Sequence, residues 1–498
     1  MATIAVIGSG FSGLSAAAYL AKAGHEVHVF EKNNSPGGRA RQLKTAKGFV
    51  FDMGPSWYWM PAVYEKFFND FGHKASDFYR LDLLQPAFDM VFGRNEVAHI
   101  PQRFDELCAW FESVEEGSAL QLKKFMEQAE FKYETGMNRL IYQPGIVWSE
   151  YASMEVLKGL MKLQLLSSFS KHIRRYFRNE KLLSLMEFPV LFLGAMPEAT
   201  PALYSLMNYA GLKLGTWYPQ GGFGEVVNAF VHVAKSAGAQ FHFDANVEKI
   251  ITDKNKAVAI RVNHDAFACD GIIAAADYHH VESTLLDARQ RNYDEKYWDS
   301  RTLAPSCLVF YLGINRRVDS FSHHTLFFDT HFSKHAEEIY IHPQYPTQPL
   351  FYMCCPSRTD NSVAPEGCEN IFLLMPIAPG LPDTAQTREK YFDIMLSRIE
   401  NNLGESLREN IIEKISYCIN DFVSDYNSYK GNAYGLANTL LQTAVLKPKI
   451  KNYKIKNLFY AGQLTVPGPG VPPSIISGKI AAGLLENELK KIVHETAV

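Results

Sequence analysis

The clearest chemistry in the sequence lies near its start. Gly8, Gly10 and Gly13 form a G-x-G-x-x-G turn with Phe11 and Ser12 inside it, between an apolar run, Thr3–Ile7, and a helical run, Leu14–Lys22. The first glycine permits a tight turn, the second lets the backbone approach a pyrophosphate, and the third lets a helix pack close to a strand. The N–H groups and dipole at the helix start then face the phosphates. Gly24 ends the helix and Glu26–Glu31 reads as a second strand. Glu31 falls eighteen residues after Gly13, where a carboxylate can accept from both hydroxyls of an adenosine ribose. Lys32 follows it directly. Together these residues predict a β-α-β dinucleotide site.

Gly37-Gly38-Arg39, followed by Gly48, Asp52, Gly54, Pro55 and Ser56, favours FAD over NAD. Arg39 carries a permanent charge and a fork of donors, suited to meeting the pyrophosphate opposite the glycine turn. A second half-site stands near the other end of the chain. Gly462-Gln463 follows a predicted strand, Asn457–Ala461, and the loop Val466–Pro473, with Val471 and Pro472, leads into a predicted helix, Ile475–Leu489. A helix N-terminus beneath an isoalloxazine would stabilise negative charge on the reduced ring. Ser477, Gly478, Ala481 and Ala482 suit close packing of that helix on another element.

The elements between these half-sites change style. Residues 104–214 are predicted mostly helical. Strand-like runs follow at Gln240–Asp244, Val247–Thr252, Ala257–Val262 and Gly271–Ala275, after a helix over Glu225–Ser236. Ser306–Gly313, Leu350–Cys355 and Asn370–Met375 read as longer strands of another sheet, and Thr387–Asn402 as a helix. The pattern is α/β, with a β-α-β nucleotide unit at the start, a second sheet later in the chain and a return to α/β texture at the end.

Composition narrows the partners. Of 498 residues, 47% are hydrophobic and 21% charged, and the formal charge is −3, which gives no basic excess for nucleic acid. Seven cysteines form no C-x-x-C and no metal spacing, so no metal is expected. No signal peptide is apparent, and apolar stretches such as Phe188–Met196 fall short of the ~20 residues that span a bilayer. Region 155–184 carries seven basic residues against two acids beside Val156, Leu157, Leu160, Met161, Leu163 and Leu165. It reads as an amphipathic surface for anionic lipid, with a solvated face on an internal bundle as the other reading.

Taken together, Val6–Glu31, Gly37-Gly38-Arg39, Asp52–Pro55, Gly215–Gly222 (GTWYPQGG), Asn246–Ile250, Tyr460–Gly462 and Val466–Gly478 resemble the phytoene-desaturase family of carotenoid desaturases, within the amine-oxidase-like flavoproteins. Phe188–Gly215 is similar to that family's substrate-domain core. The resemblance implies an α/β fold of a Rossmann-type FAD-binding domain, from 1–103, 215–290 and 426–498, and a mixed β-sheet and helical substrate domain, with 104–214 as a helical substrate or membrane-associating region and 291–425 as the substrate-domain sheet and helix. It implies FAD as cofactor and a long apolar carotenoid as substrate, phytoene or a hydroxylated carotenoid open to 3,4-desaturation. It implies that Val247 meets adenine through its backbone and that Gly462, Val471 and Pro472 line the flavin. Gln463 departs from the acidic or small residue often found there.

Such a reaction removes a hydride and a proton, and no catalytic acid or base is nameable from the sequence. His279, His280, His323 and His324 read as ordinary histidines. With no second dinucleotide motif, electrons are expected to leave to oxygen or a membrane quinone, from a protein held peripherally on the cytoplasmic side of a membrane. Alternatives are a flavin-dependent carotenoid cis-trans isomerase, an amine or porphyrinogen oxidase, and a non-enzymatic isoprenoid-binding escort protein.

Overall fold

In the computed structural model, residues 1–151, 167–190 and 194–496 are described. Five parallel strands form one sheet in the order Leu458–Tyr460, Gly271–Ala274, Thr3–Ile7, Glu26–Phe30, Gln240–His242. This sheet therefore gathers strands from both ends of the chain and from its middle. Side-chain alternation explains its two covered faces. Ile4, Val6, Val27 and Val29 face one core, and Ala5, Ile7, Phe30 and Ile272 face another. The first core holds helix Phe11–Lys22, which packs between Phe223–Ser236 and Val471–Thr496. The second is capped by an antiparallel sheet of Val247–Asp253, Lys256–Val262 and Asp265–Ala268.

A second large sheet has seven strands, in the order Ile411–Tyr417, Ser306–Ile314, Glu369–Ile377, Phe351–Cys354, His324–Phe327, Phe88–Gly93, Glu96–Ile100. All its pairings are antiparallel except His324–Phe327 with Phe88–Gly93. Leu308, Phe310, Leu312, Leu373 and Met375 pack under helix Ala385–Leu403. The alternate residues, among them Val309, Tyr352 and Leu374, face the first core and a large cavity. Two strands that precede residue 103 pair in this sheet, so the chain has crossed to it by Phe88.

Helix bounds differ from the expected ones for local reasons. The first helix begins at Phe11 rather than Leu14, with Gly13 in its opening turn, where a Cβ would lie 2.0 Å from Gly8 O. The last begins at Val471, because Pro472 and Pro473 fit a first turn whose N–H groups have no intrahelical partner.

The proposed membrane-surface helix over 155–184 is not continuous where it is described. Residues 167–184 hold Phe169–Ile173, a turn, and the start of Glu180–Glu187. The first run ends at Ile173 with Arg174 as its C-cap, and Asn179 caps the second, its side chain accepting from Lys181 N at 2.9 Å. Val156, Leu157, Leu160, Met161, Leu163 and Leu165 lie outside the described residues. Among the described residues, no helix is long and apolar enough to cross a membrane.

Candidate functional site

One cavity of about 1070 Å³ runs from the glycine turn into the space beneath the seven-stranded sheet. Gly8, Gly10, Phe11, Ser12, Glu31, Lys32, Gly38, Arg39, Gly54, Pro55, Ser56, Val247, Gly462, Gln463, Val471 and Pro472 all border it. Gly13 stands behind the wall, holding helix against turn.

At the glycine turn, Gly10 caps the first helix without a side-chain hydrogen bond, so no side chain competes for the N–H groups that face the cavity. The Gly37-Gly38-Arg39 turn docks on it through a Gly10–Gly37 bridge and Gly37 N donating to Ser9 O at 2.9 Å. Glu31, 5% exposed, accepts from Ser9 N (2.9 Å), Ser9 Oγ (2.8 Å), Asn33 N (3.0 Å) and Asn33 Nδ2 (2.9 Å). The carboxyl group is thus fixed, with both oxygens engaged. Ribose hydroxyls would replace the two side-chain donors while the backbone donors stay.

Arg39 donates from one terminal nitrogen to Ser428 Oγ (3.0 Å) and Asn432 O (3.2 Å), over the ring of Tyr426 at 5.1 Å. Its Nε is buried and has no hydrogen-bond partner among the described residues. A buried guanidinium donor left unsatisfied beside a cavity fits an absent anionic group. Asp277, which also borders the cavity, is raised above the usual carboxylate range by burial, with Arg39 pulling the other way.

The DMGP and GTWYPQGG segments meet each other. Asp52 accepts from Phe223 N at 2.8 Å and from Gln42 Nε2 at 3.0 Å, fixing the start of helix Phe223–Ser236. Burial raises the Asp52 carboxyl to about 6. Gly222 has φ +82° and a Cβ there would lie 2.6 Å from Asp52 Oδ2, which accounts for the second glycine of the pair.

At the far half-site, Gly462 N donates to Ser477 Oγ (3.0 Å), which donates to Val466 O (2.7 Å). The loop is therefore tied to the helix it precedes. With its amide turned so that the oxygen faces Arg39 (3.1 Å) and Gly435 N (3.3 Å), Gln463 donates to Ala433 O at 3.2 Å; this orientation follows from the hydrogen-bond network. Gln463 thus carries a structural link to Arg39.

Beyond these residues the cavity becomes apolar, with Trp57, Met207, Phe188, Leu326 and Leu374 in its wall. Leu441 and Leu446 line it and are also 75% and 40% exposed, so they mark its mouth. Val147, 50% exposed, lies on the adjacent segment that Lys449 Nζ holds by donating to Gly145 O at 2.9 Å.

Sequence reasoning missed several residues. Tyr426, Ser428 and Asn432 seat Arg39 from a segment with no motif of its own. Lys447 is buried behind the Pro467–Gly470 loop, donates to Asn438 Oδ1 at 2.8 Å, and is brought down to about 7 by burial. No periodicity marks it. Of the histidines, His279 reaches Glu295 at 2.9 Å, and His280 borders the cavity and is lowered to about 4 by burial. His323, His324 and Cys354 bring possible ligand atoms within 4.8 Å of one another. Linear spacing could not show this cluster, because His324 and Cys354 are cross-strand partners.

Comparison with known proteins agrees with this geometry. The family described as flavin containing amine oxidoreductase matches residues 11–485. A carotenoid 3,4-desaturase of Haloarcula japonica is 39% identical, with 98% of each chain covered. A zeta-carotene-forming phytoene desaturase of Myxococcus xanthus is 31% identical over 96% of this chain and 92% of that one. Wild-type putrescine oxidase solved with putrescine shares the fold, at a TM-score of 0.63 and 13% identity, covering 98% of this chain and 99% of that one. The cofactor of such a fold is FAD, and the chain belongs to the carotenoid desaturases of the flavin-containing amine oxidoreductase family.

Proposed function

We propose that this protein is an FAD-dependent carotenoid desaturase, an oxidoreductase acting on CH–CH groups in carotenoid biosynthesis. The observation that carries the reading is the single cavity that joins a dinucleotide cradle to an apolar chamber with an apolar mouth. Glu31 would hold the ribose, and the N–H groups after Gly10 together with Arg39 would hold the pyrophosphate. Val247 would border adenine, and Gly54–Ser56, Gly462 and Val471–Pro472 would border the ring. Bound FAD supplies a two-electron acceptor for a C–H bond with its electron pair. The chain's own part is to hold the polyene straight against that acceptor, keep water out with Trp57, Phe188 and Leu326, and take up a proton.

The domain division follows the two sheets, with Phe88–Gly93 and Glu96–Ile100 on the substrate side. The greater likeness to a protein named carotenoid 3,4-desaturase favours a hydroxylated carotenoid over phytoene. At ~0.8 kcal/mol per buried CH₂, such a chain resides in the bilayer, so the enzyme must collect it there. The mouth at Leu441 and Leu446, with exposed Lys171, Arg175 and Arg178 on the helical region, supports peripheral docking on anionic lipid. Electrons then pass to oxygen or a quinone. Expression in cells that accumulate phytoene, and in cells that accumulate a 1-hydroxylated carotenoid, tests the substrate. New red-shifted pigment in the second alone supports 3,4-desaturation; no new pigment in either contradicts the desaturase reading.

A further inference from the structure

Desaturation leaves one proton to be placed, and the chamber that must hold the polyene is walled by apolar side chains. Polar side chains interrupt that wall at several places, Asn438 and Thr443 among them, and at one of these, two hydroxyls stand before a buried imidazole. Ser56 and Tyr352 both border the cavity, and their hydroxyls lie 2.9 Å apart. Behind them His324 Nδ1 lies 2.6 Å from Tyr352 Oη. His324 is fully buried, and its ring stacks on Trp57 at 4.2 Å with the planes 9° apart. Its Nε2 is buried and meets no hydrogen-bond partner among the described residues. Among those residues the imidazole's one hydrogen bond is the one that leads to the cavity.

We propose that Tyr352 is the proton-accepting catalytic residue of the desaturation and that His324, acting through it, is the final store of the proton. The inference rests on the desaturase reading. One C–H bond of the substrate gives its hydrogen and both electrons to FAD. The neighbouring C–H loses only its proton, and the electron pair of that bond becomes the new C=C. The proton arrives at Tyr352 Oη as the phenol's own proton moves to His324 Nδ1, so the tyrosine stays neutral and the charge rests on the imidazole against the face of Trp57. A weak base suffices, because the hydrogen next to a carbocation is far more acidic than any imidazolium.

The test uses the FAD-loaded parent, Tyr352→Phe, His324→Gln and the double variant, with whichever of phytoene or a 1-hydroxylated carotenoid the parent desaturates. Binding is read without turnover on protein whose flavin has been reduced beforehand, from quenching of protein fluorescence as carotenoid is added. Flavin reduction is read anaerobically in a single turnover, in H₂O and in D₂O. The relay predicts carotenoid binding within about two-fold of the parent and reduction slowed about 10- to 100-fold in each single variant, at the low end of what a positioned acid–base group contributes. It also predicts a solvent isotope effect in the parent that disappears in Tyr352→Phe. The double variant should be no slower than the slower single one, because the two side chains act as one unit. Tyr352→Phe that reduces its flavin at the parental rate overturns the relay, as do single effects that multiply, or slowing matched by lost carotenoid binding. A parent that binds carotenoid yet never reduces its flavin overturns the desaturase reading, and the relay with it.

Discussion

Gly478 sits against Ser12: a Cβ on Gly478 would lie 2.2 Å from Ser12 O and 2.9 Å from Ala16 N. The last helix of the chain is thereby pressed onto the first, and the two halves of the FAD cradle are set by one backbone contact. Gly478→Val should overpack this contact at a cost of about 1–3 kcal/mol. It should also lower flavin content, because the loop before Val471 must move with the helix. A thermal melt and the flavin-to-protein absorbance ratio check it. A variant with parental melting temperature and full flavin would show that the helices can separate freely.

Glu31→Gln should weaken FAD binding by about 1.5–3 kcal/mol, the value of charge-assisted hydrogen bonds. Ser9 and Asn33 hold the carboxylate in place in the protein itself, so the loss should appear in titration of the apoprotein without a change in fold. Unchanged FAD affinity would remove Glu31 from the ribose.

Arg39→Ala should empty the flavin site more than Lys171→Ala. Arg39 borders the cavity with a buried Nε that has no hydrogen-bond partner among the described residues, whereas Lys171 is exposed on the helical region. Equal flavin content in the two purified variants contradicts the phosphate role.

The nucleotide half of this site was legible because its signal is local. Gly8 through Arg39 spans one β-α-β unit, and each residue's role follows from its neighbours in the chain. The PGPG loop and GTWYPQGG were legible as motifs, but the reason for the double glycine, the approach of Asp52, lies 170 residues away from Gly222. The strands Phe88–Gly93, Glu96–Ile100, His324–Phe327 and Ile411–Tyr417 were not read from sequence. His324–Phe327 is short and wholly buried and Phe88–Gly93 is buried over most of its length, so neither shows the alternation of a half-exposed strand; Glu96–Ile100 and Ile411–Tyr417 are the partly exposed edges of the sheet, with charged residues among their apolar ones. The Ser56–Tyr352–His324 group was invisible because it joins two strands and a loop through pairing alone.

Asp52 gives a pH signature. Its folded carboxyl is raised to about 6 from an ordinary value of 3.8, so between those values the folded state binds the extra proton. Its contribution to stability is fully present below pH ~4 and is lost as pH rises through about 6, amounting to at most about 3 kcal/mol. Asp52→Asn should flatten that part of the curve. Urea midpoints of parent and variant at pH 4.5 and 7 check it: the difference between the two proteins should shift in the variant's favour at pH 7. A constant difference contradicts the assignment.

Leu441→Ser with Leu446→Ser should lower sedimentation with liposomes while leaving flavin content intact, because both side chains are exposed and neither is among the residues assigned to FAD. Replacing Lys171, Arg175 and Arg178 by Gln should remove the preference for anionic lipid, at ~1 kcal/mol per charge, and salt should mimic this. Parental binding in both variants would place docking on another surface.

Anaerobic mixing of the FAD-loaded protein with one equivalent of its carotenoid tests the central claim most directly. A desaturase bleaches its flavin as the polyene gains a double bond, one two-electron reduction per bond formed. A carotenoid that changes its double-bond geometry while the flavin stays oxidised, or one that binds with no change in either spectrum, would contradict it.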